Sequence, residues 1–261
     1  MGYDIIKDRK EVISMMTNQA IKQEAKQVLK STPKKASLFL TPVLLLIITN
    51  SLTSTINSDQ IYPLLFPNLL TIFNAFFLAS ASITMLDIYR KTKTIPTFSD
   101  SSRAFSRPFI GKFILVELLK FFYILLPQLV LGSLLGLIFG FIVDNIKPAD
   151  PIPLFLGFML ILFLVMVSIS APLYYSFSQS TLLLYDQVQN QTYQNPHKLL
   201  MASRQLMAGH RKQAFLLDVS FIGWFILTIF LSPILIYCLP YYTTATTIFY
   251  NQLVTANNQT Q

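Results

Sequence analysis

The amino-acid sequence is dominated by long apolar blocks, each about as long as a helix that crosses a membrane. The first block begins near Leu38, and the second extends from about Leu64 to Tyr89. Crossing about 30 Å of hydrocarbon takes about 20 mainly apolar residues. Charged residues make up 12% of the chain, whereas about 25% is usual for a soluble domain. We therefore predict an all-α, polytopic bundle of transmembrane helices.

The apolar blocks predict about six spans, which we place at residues 37–55, 64–89, 121–143, 154–177, 215–231 and 234–253. Residues 90–112 and 178–213 are the cytoplasmic segments between them, and residues 254–261 form a polar tail. The last apolar stretch is about twice the length of one span. A hairpin with its turn at Ser232-Pro233 accounts for this length, and a single long tilted span is the alternative.

Residues 1–36 form a charged N-terminal segment that contains one predicted amphipathic helix. Apolar residues recur there at helical spacing opposite three lysines, with Ile21, Ala25, Val28 and Leu29 on one side and Lys22, Lys26 and Lys30 on the other. Such a helix is expected to lie on the membrane surface, where lysines meet anionic lipid headgroups. Because residues 1–35 are polar, the first span is expected to serve as an uncleaved insertion signal.

The cations of the sequence are distributed asymmetrically between the predicted loops. The two external loops contain Asp59, Asp144, Asp150 and one cation, Lys147, whereas the other 19 of the 20 Lys and Arg lie on the opposite side. The positive-inside rule then places both chain termini in the cytoplasm and the protein in a cell membrane. Loop cations also account for the net charge of +8, so no nucleic-acid partner is expected.

A short pattern recurs before the first and fifth spans. Ala25, Leu29, Lys34 and Lys35 match Ala202, Leu206, Arg211 and Lys212 at a constant offset, and a looser copy with Arg103, Arg107 and Lys112 precedes the third span. The pattern indicates three units, each a basic amphipathic helix followed by a membrane hairpin. Basic flanks before every span that runs from inside to outside would produce the same pattern without a repeat.

The sequence lacks the motifs that identify common catalytic and metal sites. It has no P-loop, no H-E-x-x-H and no G-x-S-x-G motif. Cys238 is the single cysteine, which excludes an intrachain disulfide. His197 and His210 are followed directly by cations, and neighbouring positive charge disfavours a bound metal. We expect no enzymatic activity, no cofactor and no metal.

Ionisable residues inside a membrane segment are the usual indication of function in such a chain. Glu117 and Lys120 lie three residues apart near a span end, which favours an interfacial ion pair. Asp87 is close in sequence to Arg90 and Lys91, which favours the same interpretation.

Asp218 is the most informative of these residues because it lies a few residues inside the predicted fifth span. Arg211 and Lys212 are its expected partners if its role is structural. The alternative is a ligand-binding or transport residue near the cytoplasmic entrance.

Gly132, Gly136 and Gly140 form a doubled G-x-x-x-G motif in the predicted third span, which favours close helix packing. We expect that another span of the same chain packs there, and a second copy is the alternative. Polar residues inside the apolar blocks are expected to bond across helices or to line a small cavity, namely Asn74, Gln128, Ser168 and Ser170.

Four short motifs in the C-terminal third carry a resemblance to a known family, namely LMAGHRK at 206–212, FLLDVSFIGW at 215–224, LPYY at 239–242 and FY at 249–250. They resemble the domain-of-unknown-function 975 family of integral membrane proteins, found mainly in Gram-positive bacteria. The resemblance implies a bacterial plasma membrane and no particular chemistry. Within these motifs the candidate functional residues are Gly209, His210, Asp218 and Trp224.

These patterns predict a non-enzymatic membrane component that engages anionic lipid headgroups, a membrane-protein partner or a second copy of itself. Its basic helices and small-residue helix faces would make these contacts. A small transporter with Asp218 near its cytoplasmic gate is the alternative.

Overall fold

The structure, a computed structural model, describes residues 16–55, 61–146 and 152–260, and all regular elements in these ranges are helical. In chain order they are α1 (Asn18–Ser31), α2 (Ala36–Thr55), α3 (Ile61–Tyr89), a 3-10 helix (Phe98–Phe105), α4 (Arg107–Ile146), α5 (Ile152–Phe177), α6 (Ser180–Gln189), α7 (Pro196–Leu206), α8 (Arg211–Val219), α9 (Ile222–Phe230), a second 3-10 helix (Ser232–Ile234) and α10 (Leu235–Thr260). The predicted all-α bundle is confirmed. The predictions for residues 1–15 and for Asp59, Lys147 and Asp150 lie outside the described residues.

Five stretches of the described chain are long and apolar enough to cross a membrane, namely Ala36–Thr53, Leu65–Tyr89, Arg107–Asn145, Ile152–Gln189 and Arg211–Phe230. They overlap the first five predicted spans over nearly their whole length. The third begins at Arg107 rather than at residue 121, because Pro108 lies in the first helical turn, where a missing N–H is tolerated. Residues 107–112, predicted as loop, therefore belong to the helix.

The helix α10 corresponds to the sixth predicted span, but it is not one of these five stretches. Its middle is rich in threonine and is almost fully buried, with Thr244, Ala245 and Tyr250 no more than 1% exposed. Contacts with α1, α2 and α3 surround it. Because protein covers α10, the helix does not need the apolar surface that lipid contact requires.

The turn before α10 lies where the sequence predicts it. The chain leaves α9 at Phe230 and reverses through the 3-10 helix Ser232–Ile234, in which Pro233 occupies an early position. Proline removes a backbone N–H and cannot continue the preceding helix. A single continuous helix is therefore excluded for this stretch, and the chain turns where predicted, but the predicted fifth span is divided into α8 and α9.

The predicted amphipathic helix is α1, but its apolar face contacts protein rather than lipid. Ile21 and Ala25 are fully buried and Leu29 is 6% exposed, in one cluster with residues of α2, α3, α8 and α10. The expectation that this face lies in the membrane surface is therefore wrong. The sequence shows which face is apolar but not which neighbour covers it.

The first and fifth spans are each preceded by a short helix, α1 before α2 and α7 before α8, and a 3-10 helix precedes α4. The matched positions of the predicted repeat differ in environment. Ala25 and Leu29 are buried, whereas Ala202 and Leu206 are partly exposed. The repeat therefore remains a prediction about sequence and element order.

Two arginine–aspartate pairs connect helices near the ends of the apolar stretches. Arg90 donates from Nη1 and Nη2 to Asp186 Oδ1 and Oδ2 over 2.6 and 2.9 Å. Arg103 Nη1 donates to Asp87 Oδ2 over 2.7 Å. The prediction that Asp87 would associate with Arg90 and Lys91 is therefore wrong, because residues distant in sequence supply the partner of each charge.

The C-terminal half of α4 and the N-terminal half of α5, the outer halves of these helices, lie against each other and are exposed on most of their surface. Leu137 is 72% exposed and Phe141 is 70% exposed. The two helices contact each other through Phe139 and Phe158, whose ring centroids are 4.1 Å apart. One buried cluster includes Phe109, Phe113 and Val116 at the other end of α4, a helix of 40 residues that contains Pro127.

Candidate functional site: a polar cavity around Asp218

A cavity of about 450 Å³ lies between α3, α4, the α5–α6 junction, α8 and α10. Helices distant in sequence supply its polar lining, which includes Glu117, Lys120, Tyr174, Tyr175, Ser178, Gln179, Thr181, Asp218 and Tyr242. Ligand sites typically occupy about 300–1,000 Å³ and have a few convergent polar groups in a mainly apolar wall. The volume of the cavity lies in this range and several polar groups converge on it, so we take it as the candidate site.

Two tyrosine hydroxyls hold the Asp218 carboxylate in place. Tyr242 donates to Oδ1 over 3.0 Å from α10, and Tyr175 donates to Oδ2 over 3.0 Å from α5. Within the described chain Asp218 has no ion pair. The expected pairing with Arg211 or Lys212 is therefore absent, because Arg211 lies two helical turns earlier on α8, about 10 Å along the axis.

The predicted ion pair of Glu117 and Lys120 is confirmed, and it lines the same cavity. Lys120 Nζ lies 2.5 Å from Glu117 Oε2, and Thr181 Oγ1 donates to Glu117 Oε1 over 3.4 Å. The ionisable side chains Asp218, Glu117 and Lys120 therefore give this wall two carboxylates and one ammonium group. Their formal sum is one negative charge.

An apolar groove of about 460 Å³ adjoins the cavity. It is lined by Ile124, Phe163, Met166, Val167, Ser170, Ala171, Tyr174, Tyr175 and Phe215. Tyr174 and Tyr175 belong to the walls of both spaces, so the polar cavity and the apolar groove lie side by side. The groove opens on the face of α5 that has exposed apolar side chains, including Phe163, which is 63% exposed.

A family model described as "Protein of unknown function (DUF975)" matches residues 15–257. The chain belongs to the DUF975 family. Neither a curated protein nor a solved structure matches this DUF975 chain. The match extends over all the helices that form the cavity, so the resemblance expected from the C-terminal motifs is confirmed for most of the chain.

The candidate residues of the DUF975 motifs have different surroundings. Asp218 lines the cavity, whereas Gly209, His210 and Trp224 are not part of its described lining. Gly209 has φ +81° in the turn between α7 and α8, a conformation that favours glycine. His210 directly precedes α8 and its carbonyl accepts from the N–H of Ala214. The Trp224 ring lies 5.3 Å from that of Tyr237.

The glycine motif of this DUF975 chain is packed at one position. A Cβ atom at Gly132 would lie 3.1 Å from Met166 Cε on α5, but no atom lies within 4 Å of the corresponding point at Gly136 or Gly140. Of the three glycines, only Gly132 therefore has the predicted close packing against another span of the chain, and packing of a second copy against the motif stays a prediction. In this part of the two helices the contact is instead made by the stacked rings of Phe139 and Phe158.

Sequence reasoning missed the tyrosines that hold Asp218. Tyr174 and Tyr175 lie near the end of a predicted span, where aromatic residues are normally interfacial anchors. Tyr242 lies in the LPYY motif of the resemblance. The adjacent pairs Tyr174-Tyr175 and Tyr241-Tyr242 in two apolar segments could have indicated partners for a carboxylate, because a buried hydroxyl needs a hydrogen-bond partner.

Proposed function

We propose that this protein is a non-enzymatic integral membrane component that binds an amphiphilic membrane molecule beside Asp218. Its headgroup occupies the polar cavity, and its hydrocarbon chain occupies the adjoining groove. The observation that carries this proposal is the shared wall of Tyr174 and Tyr175 between a polar and an apolar space.

Binding of an amphiphile accounts for both halves of the site. Aliphatic and aromatic side chains such as Val167 and Phe215 form the groove, which suits a hydrocarbon chain. Carboxylate, ammonium, amide and hydroxyl groups of the cavity suit a hydrated headgroup. The exposed side of α5 gives a lipid lateral access to the groove without passage through the protein core.

Filling the groove tests this proposal. We expect saturable binding of a fluorescent alkyl probe to the purified protein, and Ala171→Trp should abolish it because the indole occupies the groove. Leu137→Trp places the same ring on the exposed outer part of α4, where the parent side chain is 72% exposed, and should leave binding unchanged. Equal binding to both variants would contradict the proposed site.

Anionic lipid headgroups are proposed partners of the exposed cations. Of the lysines of α1, Lys22 contacts protein instead, because its Nζ donates to Ser220 O over 3.1 Å and lies 4.9 Å from the Phe221 ring centroid. Burial, and secondarily the charge of Lys26, lowers the Lys22 pKa. Lys30 is exposed, and surface attraction to anionic lipid is about 1 kcal/mol per cation. Lys30→Gln should therefore weaken association with anionic nanodiscs more than Lys22→Gln.

Transport is the second candidate function, because the cavity that Asp218 lines is also lined by Ser178 and Gln179, at the start of the segment 178–213 that is predicted to be cytoplasmic. Of the polar residues expected to bond across helices or to line a small cavity, Gln128 donates to Ser170 across α4 and α5, and Ser168 bonds within its own helix. Asn74 is buried on α3 outside the described lining of the cavity. Asp218→Asn would abolish solute flux in proteoliposomes if this candidate holds. Unchanged flux would exclude a gating role for this carboxylate.

A further inference from the structure

We infer that the polar cavity recognises a positively charged ammonium group on the headgroup of the bound amphiphile. This inference rests on the proposed amphiphile binding and specifies the chemical class of the ligand. It is carried by Asp218, by the aromatic rings around it and by the groove beside it.

The charge of the cavity favours a cation. Asp218 accepts two hydrogen bonds from neutral hydroxyls, and these orient its carboxylate without compensating its charge. The nearby ammonium group of Lys120 already pairs with Glu117 at 2.5 Å. Asp218 is half-buried, and a carboxylate that is partly removed from water without a cation is costly, so a bound cation would relieve that cost. A headgroup with negative charge alone would face a wall whose ionisable side chains sum to one negative charge.

The hydrogen-bonding capacity of Asp218 leaves room for such a ligand. An ionised carboxylate has about four acceptor sites, and Tyr175 and Tyr242 use one on each oxygen. An ammonium group brings up to three N–H donors and no acceptor. The free acceptor sites of Asp218 therefore match the donors of an ammonium group.

The aromatic lining favours an organic cation over a metal ion. Tyr174, Tyr175, Tyr242, Phe113 and Phe249 all line the cavity. Ring faces attract ammonium groups, and aromatic enclosures are a common way to bind them. Calcium instead takes about six to eight oxygen ligands. Among the described residues, no group of three or more His, Cys, Asp and Glu could hold a metal.

The adjoining groove identifies the ammonium group as part of an amphiphile rather than as a small polyamine or free amine. Apolar side chains line the groove on α5, and Tyr174 lies between the groove and the cavity. A ligand that bridges these spaces has its cationic end at Asp218 and its hydrocarbon chain along Met166 and Ala171.

Three probes of one chain length test the inference. Decylammonium, decanol and decyl phosphate are used to displace the fluorescent alkyl probe from the full-length protein in neutral maltoside micelles. We expect decylammonium to bind about tenfold or more tightly than decanol, because hydrogen bonds to charged groups are about twice as strong as neutral ones. Decyl phosphate should bind more weakly than decanol.

Two variants locate the preference. Asp218→Asn should reduce decylammonium affinity about tenfold and leave decanol affinity unchanged. Asp144→Asn removes an exposed carboxylate outside the cavity lining and should change neither. The comparison of the three probes on the wild-type protein requires no variant, so it decides the inference even if Asp218→Asn fails to fold.

The outcomes separate the two proposals. Equal displacement by all three probes would overturn ammonium recognition while amphiphile binding stands. No saturable binding of the alkyl probe itself would overturn both. A preference for decylammonium that persists in Asp218→Asn would also overturn the inference, because another group would then supply the selectivity.

Discussion

Replacing Asp186 by asparagine should destabilise the fold more than any other single carboxylate-to-amide change outside the cavity. Asp186 accepts hydrogen bonds from both terminal nitrogens of Arg90, and the Tyr250 hydroxyl donates to its Oδ2 over 2.6 Å. These three bonds join α6 to the end of α3 and to α10. The asparagine amide keeps one acceptor but turns an NH₂ group toward a guanidinium group.

The size of the effect follows from burial. The side chains of Arg90 and Asp186 are 27% and 16% exposed. Breaking a fully buried pair costs about 3–5 kcal/mol, whereas an exposed pair contributes about 0–1 kcal/mol. Arg90 also keeps its Nε bond to Asn251 at 2.8 Å. We therefore expect a loss of about 2–3 kcal/mol, which lowers the unfolding midpoint by about 4–12 °C.

Cys238 provides the assay without any added label. It is the single cysteine of the chain and its side chain is fully buried, so a thiol-reactive fluorogenic maleimide reports its exposure during heating. Asp144→Asn, at an exposed carboxylate, is the matched control and should leave the midpoint unchanged. A midpoint for Asp186→Asn within about 1 °C of the wild-type value would refute the argument that this network stabilises the fold.

Three further predictions use the same protein. Burial alone would raise the Asp100 pKa, but hydrogen bonds from Lys93 and Thr97 lower it below its ordinary value of 3.8. The stabilisation that this carboxylate gives the fold is present above that value and is lost as the pH falls through the folded pKa. When the unfolding midpoint is measured against pH, Asp100→Asn should therefore lack this loss at acid pH. Gly136→Ala should change the free energy of unfolding by no more than about 1 kcal/mol, since the added Cβ meets open space. In a Cys238→Ser background, Gln191→Cys and Asn258→Cys should each resist an impermeant thiol reagent in intact cells and react with it after permeabilisation. Labelling of Asn258→Cys in intact cells would instead place the C-terminus outside.

Helix positions could be predicted from the sequence because their signals are local. Apolar length alone locates α2, α3 and α5 to within a few residues. Ser232-Pro233 locates the turn before α10 for an equally local reason, the missing N–H of proline. Pro108 misled the prediction for α4 because proline also fits the first turn of a helix.

The ion pair of Glu117 and Lys120 could be predicted because its members are three residues apart. The other partners of charged side chains could not be predicted, because they depend on contacts between residues distant in sequence. Arg90 and Asp186 are separated by 96 positions. Asp218 was identified as the leading candidate from its place in a span, and the structure locates it in the cavity. The sequence did not indicate Tyr175 and Tyr242 as its partners, because a tyrosine near a span end has an ordinary interfacial explanation.

The continuity of α4 has a mechanical consequence. Its 40 residues correspond to about 60 Å, twice the thickness of the hydrocarbon layer. The outer part has neighbours mainly on α5, so a thinner or thicker bilayer changes its tilt at little cost. Such a tilt either bends α4 at Pro127 or, if the helix stays straight, also moves Glu117 and Lys120 in the cavity wall. The rigidity of one proline-containing turn thus determines whether bilayer thickness changes the shape of the cavity.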